Sequence, residues 1–235
     1  MYQTYRDRPP SPPRPADRRP PQRSPACPAP PRAPGTAAAL ALTNQATLPR
    51  VECNRQNALI ASLAQVMPDD RHDNVLITDR IEVRDPLLGN GAQHIYRARR
   101  DGAPSGVVLE ATAPDGYGGA IDLIVGVDTG GRVLGVRAVP PHNETPGLGD
   151  KIERRKSDWI TTFNGRSLTN PDDAGWAVKK DGGSFDSFTG ATITPRAVVG
   201  AVHRALLYFR DHKEQVFQAP ATDDAPDSMR EACRG

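Results

Sequence analysis

The chain has 235 residues and a formal net charge of +2, and both values limit the classes of function it can have. This length accommodates one domain with terminal extensions and allows a sizeable core. The near-neutral charge gives no overall indication of nucleic-acid binding. The three cysteines, Cys27, Cys53 and Cys233, are odd in number and widely spread. The sequence therefore predicts neither a disulfide framework nor a zinc or iron–sulfur site.

Residues 1–35 form a Pro/Arg-rich N-terminal segment that is predicted to be disordered. Twelve of the 24 prolines lie within residues 1–34, together with seven arginines and two aspartates. Proline removes backbone donors and interrupts helices, so such a stretch cannot build a core and favours disorder or local polyproline II. We interpret the segment as a solvated tail, with a ligand for a partner protein as the alternative.

Residues 36–68 contain a short apolar run followed by a predicted helix. The apolar run at 36–43 is too short to cross a bilayer, and the sequence has no stretch of about 18 apolar residues. Apolar residues then recur at helical spacing and predict a helix over about 48–67, which Pro68 ends. These apolar positions are Val51, Leu59, Ile60, Leu63 and Val66.

Residues 69–212 are predicted to form one α+β domain built on an antiparallel sheet. Strands are predicted at about 75–83, 93–99 and 107–112 after a turn at 101–106, with a hairpin that joins 120–127 to 132–139. Because the strands follow one another without intervening helices, we expect an antiparallel sheet with helices before and after it. Residues 213–235 are predicted to be a disordered C-terminal tail.

Two glycine-rich loops flank the hairpin and are candidates for ligand contact. The loop at 116–119 has a permissive backbone, and we interpret its Tyr117 as a packing residue at a strand start. The loop at 140–149 leaves a strand and carries Glu144, Thr145 and Leu148. Loops that follow strands are common places for ligand contacts. Here backbone N–H groups are available to a ligand, and the side chain of Leu148 can pack against a flat apolar ring.

The segment 186–195, Asp-Ser-Phe-Thr-Gly-Ala-Thr-Ile-Thr-Pro, carries the strongest functional signal in the sequence. Thr194 is predicted to cap a helix that has Pro195 as its first residue, because apolar residues at helical spacing follow. The preceding residues then lie at a helix N-terminus, where free N–H groups and the helix dipole favour a phosphate. From the residues alone, the segment is either an ordinary helix cap or a phosphate-binding loop.

The pattern Asp186-x-x-Thr-Gly-Ala-Thr192 resembles the flavinylation motif of the FMN-binding domain shared by RnfG/RsxG and NqrC subunits. A second signature, Glu-Thr-Pro-Gly-Leu-Gly-Asp-Lys at 144–151, lies where that family has its flavin-facing loop. The resemblance covers about residues 40–210. It implies that a flavin transferase recognises Asp186 and attaches FMN through a phosphoester to Thr192. It also implies further cofactor contacts from Thr189, Gly190, Ala191, Glu144, Thr145 and Leu148.

The resemblance further implies a subunit of a membrane-bound, ion-translocating oxidoreductase complex. Such a subunit relays electrons between other subunits on the periplasmic side of the inner membrane, without independent substrate turnover, catalytic residues of its own or a metal. Two alternatives stay open: an NqrC-like subunit of an NADH:quinone reductase, and a periplasmic binding or scaffold module without flavin. The chain departs from the family at its N-terminus, where residues 36–43 resemble only the last third of the expected membrane anchor.

Overall fold

The computed structural model describes residue 54 and residues 57–222 of the chain. Helix α1 (57–66) precedes a five-stranded sheet, and helix α2 (Ile193–Gln218) follows it. The strands are β1 (Arg80–Val83), β2 (Gln93–Arg100), β3 (Ala103–Ala113), β4 (Ile121–Asp128) and β5 (Val133–Val139). They lie in chain order, and every neighbouring pair is antiparallel. The predicted α+β class with an antiparallel sheet is confirmed.

Short 3₁₀ turns connect β5 to α2. They lie at Gly149–Ile152, Trp159–Phe163, Asp173–Gly175 and Lys179–Asp181. No helix among the described residues combines the length and the apolar character that a membrane span requires. The predicted N-terminal segment, the apolar run at 36–43, the start of the helix predicted over about 48–67 and the end of the predicted C-terminal tail lie outside the described residues.

The two helices cover opposite faces of the sheet. Successive residues of a strand point to opposite sides, so Val107 and Leu109 pack in the cluster that includes α2, whereas Val108 packs in the cluster that includes α1. Five apolar residues of α2 that recur at helical spacing are buried, as their spacing predicts: Val198, Val202, Ala205, Leu206 and Phe209.

Three predicted boundaries differ from the structure. Residues 76–78 form a 3₁₀ turn rather than the start of a strand, because Leu76 is buried against the α1 cluster and Thr78 donates its hydroxyl back to the Val75 carbonyl at 2.8 Å. The turn after β2 is only Asp101 and Gly102, both with positive φ, as in a type I′ hairpin. Helix α2 extends to Gln218, so residues 213–218 are helical rather than part of a tail.

The C-terminal end of α2 rests on two arginines of β2. The buried guanidinium of Arg97 donates to the carbonyl oxygens of Val216 at 3.1 Å and Ala219 at 2.5 Å. It also donates to Asp79 at 2.7 Å, and Arg99 reaches the other oxygen of Asp79 at 2.6 Å. The last carbonyls of a helix lack partners within the helix, and the helix dipole favours a cation there. Arg97 therefore supplies hydrogen-bond donors to carbonyl groups at the C-terminal end of α2.

Replacing Arg97 with methionine is expected to lower the free energy of unfolding by about 3–5 kcal/mol, the typical cost of removing one partner from a buried ion pair. The carbonyls at the end of α2 lose their donor, and Asp79 keeps only Arg99. Denaturant unfolding followed by circular dichroism measures the loss, and hydrogen exchange reports whether the last turn of α2 opens.

Arg84→Met is the matched control for this prediction. Arg84 is 76% exposed and pairs with Glu82 at 3.2 Å, and surface substitutions of this kind change stability by about 0.5 kcal/mol or less. Equal losses of stability in the two variants would contradict the role assigned to Arg97.

Candidate functional site

Three segments of the chain meet at one end of the sheet. Ala113 pairs with Ile121 and Asp122 pairs with Val139, so the loop after β3 (114–120) and the loop after β5 (140–148) leave the sheet at the same end. The third is the pre-helix segment (186–192), which leads into α2. The side-chain contacts described next join the two loops to the start of the helix that follows this segment.

The carboxylate of Glu144 connects the two loops to the first turn of α2, directly after the pre-helix segment. The backbone N–H of Gly118 donates to its Oε1 at 3.0 Å, and the hydroxyl of Thr194 donates to its Oε2 at 2.5 Å. Glu144 is only 5% exposed and Thr194 is fully buried. A buried carboxylate is costly unless hydrogen bonds replace its water, and bonds to a charged acceptor are stronger than neutral ones. Glu144 therefore holds both loops against the start of α2.

Two glycines allow this close approach. A Cβ at Gly149 would lie 2.4 Å from Oε2 of Glu144, and a Cβ at Gly118 would lie 2.0 Å from the carbonyl oxygen of Asn143. Both distances are well inside van der Waals contact, so any larger residue would push the segments apart. Gly118 thus allows one loop to pack on the other, and Gly149 leaves the space in which Glu144 meets Thr194.

The pre-helix segment contains a tight turn. The N–H of Ala191 donates to the carbonyl oxygen of Phe188 at 3.1 Å, and Gly190, the third residue of the turn, has φ of +84°. Positive φ at this position is typical of a type II turn and favours glycine. Trp159 anchors the turn, because its ring nitrogen donates to the carbonyl oxygen of Asp186 at 2.8 Å and its ring packs edge-on against Phe188.

Thr192, rather than Thr194, precedes the first residue of α2. The predicted cap is therefore wrong: Thr194 and Pro195 are the second and third helical residues, and Thr194 donates instead to the buried carboxylate of Glu144. The backbone of Thr192 has φ of −85° and ψ of −27° and its side chain makes no cap bond, since capping side chains normally require an extended backbone. Its hydroxyl instead accepts a hydrogen bond from the ammonium of Lys180 at 3.1 Å.

A cleft of about 220 Å³ lies where the three segments meet. Three of the side chains that line it are large and apolar yet exposed: Tyr117 at 68%, Leu148 at 39% and Ile193 at 45%. Exposed apolar side chains around a concave opening are typical of a ligand site. The other lining residues are Glu144, Thr145, Gly149, Gly190, Ala191, Thr192 and Thr194.

The structure brings six of the eight predicted site residues to this cleft. These six are Glu144, Thr145, Leu148, Gly190, Ala191 and Thr192. Thr189 and Asp186 are exposed and do not line it, and Asp186 pairs with the ammonium of Lys179 at 2.7 Å. The roles of all eight residues toward a cofactor stay predictions.

Sequence reasoning missed several residues of the cleft, of which Tyr117 is the clearest. Its interpretation as a packing residue is wrong, because the ring is mostly exposed beside the cleft. A signal was present: a large aromatic residue lies between Gly116 and Gly118, which have no side chains to cover it. Lys180 carried no comparable signal, since its contact with Thr192 spans twelve residues and depends on the intervening turns.

The cleft suits a ligand with a flat apolar part and a phosphate. The apolar side chains can contact a ring, while the ammonium of Lys180 and the first N–H groups of α2 lie beside Thr192 and suit an anion. The first turn of α2 contains no acidic residue. A volume of about 220 Å³ is below the ~300–1,000 Å³ typical of pockets that enclose small organic ligands, so a bound flavin would stay partly exposed.

Comparison with known proteins agrees with this geometry. Residues 116–207 match the family model of the FMN-binding domain, and this range contains the whole cleft. The G subunit of the ion-translocating oxidoreductase complex from Escherichia coli O157:H7 is 54% identical over 187 residues, which cover 80% of this chain and 89% of that protein.

Two further relatives carry the same name. The protein from Pseudoalteromonas atlantica is 50% identical over 186 residues, covering 78% of this chain and 86% of that protein. The protein from Shewanella oneidensis is 48% identical over 188 residues, covering 79% and 88%. The resemblance identified from the two sequence motifs is confirmed, and the chain belongs to the family of G subunits of ion-translocating oxidoreductase complexes.

Proposed function

We propose that this chain carries FMN covalently on Thr192 and relays electrons within a membrane-bound, ion-translocating oxidoreductase complex. Membership in the G-subunit family and the match to the FMN-binding domain support this function. The observation that carries the site is the position of the Thr192 hydroxyl. It lies at the cleft, makes no helix cap and accepts a hydrogen bond from an ammonium.

Attachment requires a nucleophilic hydroxyl beside a place for a phosphate, and Thr192 meets both needs. The hydroxyl oxygen attacks the phosphorus of a flavin-containing diphosphate donor bound to a flavin transferase. The new oxygen–phosphorus bond forms as the bond from phosphorus to the departing phosphate group breaks, and the hydroxyl proton passes to a base of the transferase or to water. Asp186 is exposed at the start of the pre-helix segment, where the transferase can contact it.

The residues around the cleft then orient the cofactor. Tyr117, Leu148 and Ile193 present apolar surface to the ring system, while Gly190 has no side chain to occupy the space beside Leu148, which lies 3.6 Å from where its Cβ would be. When bound, the flavin supplies the redox chemistry, and the protein supplies binding and orientation. A covalent link prevents loss of the cofactor, and partial exposure leaves the ring accessible to partner subunits.

The partners and the location follow from the same proposal. The chain works with the other subunits of the complex and needs a flavin transferase for maturation. Its domain lies on the periplasmic side of the inner membrane, held there by an N-terminal anchor of the family type. We expect no substrate turnover by the isolated subunit, because an electron relay needs partner subunits as its electron donor and acceptor.

Replacing Thr192 with valine is expected to abolish covalent flavin while the fold is kept, because valine has a similar shape but no hydroxyl. The full chain is coexpressed with a flavin transferase, and intact mass with peptide mapping and in-gel flavin fluorescence measures the attachment. Thr169→Val is the matched control, because Thr169 is an exposed threonine outside the motif and the cleft, and it should keep full flavin. Covalent FMN on the Thr192→Val protein would contradict the assignment, and its absence from the wild type would favour a module without flavin.

Replacing Tyr117 with alanine is expected to leave flavin attachment complete but to increase flavin fluorescence. An aromatic ring that contacts a flavin quenches its emission, and a stacked pair is worth about 0.5–1.5 kcal/mol, or roughly a 2- to 10-fold change in the contacting population. Steady-state emission and fluorescence lifetimes measure the change. Val75→Ala removes a comparably exposed apolar side chain outside the cleft lining and should change neither property. Unchanged lifetimes in Tyr117→Ala would show that the ring does not contact the flavin.

A further inference from the structure

The 3₁₀ turn Lys179–Asp181 directs three consecutive charged side chains onto the pre-helix segment and the start of α2. The ammonium of Lys179 pairs with Asp186 at 2.7 Å, that of Lys180 donates to the hydroxyl of Thr192 at 3.1 Å, and Asp181 accepts from Arg196 at 2.6 and 2.8 Å. One turn thus contacts the first residue of the flavinylation motif, its last residue and the first turn of the helix.

The backbone holds this turn in place. The N–H of Asp181 donates to the carbonyl oxygen of Val178 at 2.8 Å, and the N–H of Lys179 donates to the carbonyl oxygen of Phe185 at 2.7 Å. Val178 and Phe185 are buried and lie in the main core cluster. The position of Lys180 is therefore set by the core beneath the turn rather than by its own exposed contact with Thr192.

The charged side chains of Lys179, Lys180 and Asp181 differ in the charge of the groups that they contact. Lys179 faces a carboxylate, and the hydrogen-bonded Arg196 guanidinium lowers the pKa of Asp181 below its usual value. Lys180 faces a neutral hydroxyl, and within the described part of the chain it forms no ion pair. A solvent-accessible ammonium gains little from a neutral hydroxyl. The fold therefore places at the oxygen of Thr192 an ammonium whose neighbouring carboxylate, Asp181, is already hydrogen-bonded by Arg196.

Two other cations near the segment have partners of their own among the described residues. Arg196 is bound by both oxygens of Asp181, and the ammonium of Lys151 lies over the ring of Phe188 at 6.0 Å from its centre. A phosphate attached to the Thr192 oxygen would replace the hydroxyl proton with a negatively charged group next to Lys180. Charge-assisted hydrogen bonds of ammonium to phosphate are among the strong hydrogen bonds in proteins.

We propose that Lys180 binds the phosphate that links FMN to Thr192, and that Lys179 and Asp181 position the acceptor segment for it. This inference rests on the proposed attachment of FMN to Thr192. Lys180 holds the incoming phosphate beside the acceptor oxygen before the bond forms and neutralises the phosphodiester afterwards. Removing its charge should slow attachment and change the electronic environment of the phosphorus.

The test compares Lys180→Met and Lys180→Arg with the wild-type full chain, each coexpressed with a flavin transferase. Lys180→Met should slow attachment about 10- to 100-fold, the rate equivalent of one charge-assisted hydrogen bond. Coexpression is then prolonged until modification is complete, and ³¹P NMR of the purified proteins reports the phosphodiester. Its resonance should shift in Lys180→Met and lie near the wild-type position in Lys180→Arg, which keeps the charge.

Lys213→Met is the matched control, because it removes the same charge about 30 Å along α2 from Ile193. It should change neither the rate nor the resonance. An unchanged ³¹P resonance in Lys180→Met would overturn the inference even if attachment slows, since the lysine would then act on the transferase rather than on the phosphate. Failure of Arg to restore either property would also overturn it. Absence of FMN from wild-type Thr192 would instead overturn the proposed attachment itself.

Discussion

The buried carboxylate of Glu144 is the contact on which the candidate site depends. It accepts hydrogen bonds from Gly118 and Thr194, which are 26 and 50 residues away along the chain. A charge in the interior is tolerated only with such partners, so the two loops and the start of α2 are coupled: displacing one of them leaves one oxygen of the carboxylate without its donor. The glycines at 118 and 149 follow from this coupling, because a side chain at Gly118 would collide with the carbonyl of Asn143 and one at Gly149 with the carboxylate of Glu144.

Helix α2 is held in place by a buried charged group at each of its two ends. Its first turn is held by Glu144 through Thr194, and its last carbonyls are held by Arg97. A negative group at the N-terminus and a positive group at the C-terminus are the signs that the helix dipole favours. Since both groups are buried, the helix is fixed on the sheet at its two ends. Because α2 is fixed, Thr192, which immediately precedes it, has a defined position at the cleft.

The buried and exposed charges of this region have different roles. Glu144 and Arg97 are buried and organise the fold, whereas the side chains of Lys179, Lys180 and Asp181 lie at the surface around the pre-helix segment. Surface ion pairs contribute little to stability, so the pattern on the Lys179–Asp181 turn is better explained by what it places beside Thr192. Exposed apolar side chains gather at the same cleft, which adds a surface for the ring of a ligand to a place for its phosphate.

The sequence by itself determined the features that depend on neighbours along the chain. The hairpin of β4 and β5, the apolar stripe of α2 and the two family motifs are local patterns of periodicity, turn residues and spacing, and the structure agrees with them. Only the tertiary structure decided that Thr194 serves Glu144, that Thr192 is left uncapped, that Tyr117 is exposed and that Lys180 contacts the acceptor oxygen. These outcomes depend on contacts between segments far apart in sequence: the buried carboxylate of Glu144 needs a donor and takes the Thr194 hydroxyl, whereas a helix N-terminus needs an acceptor.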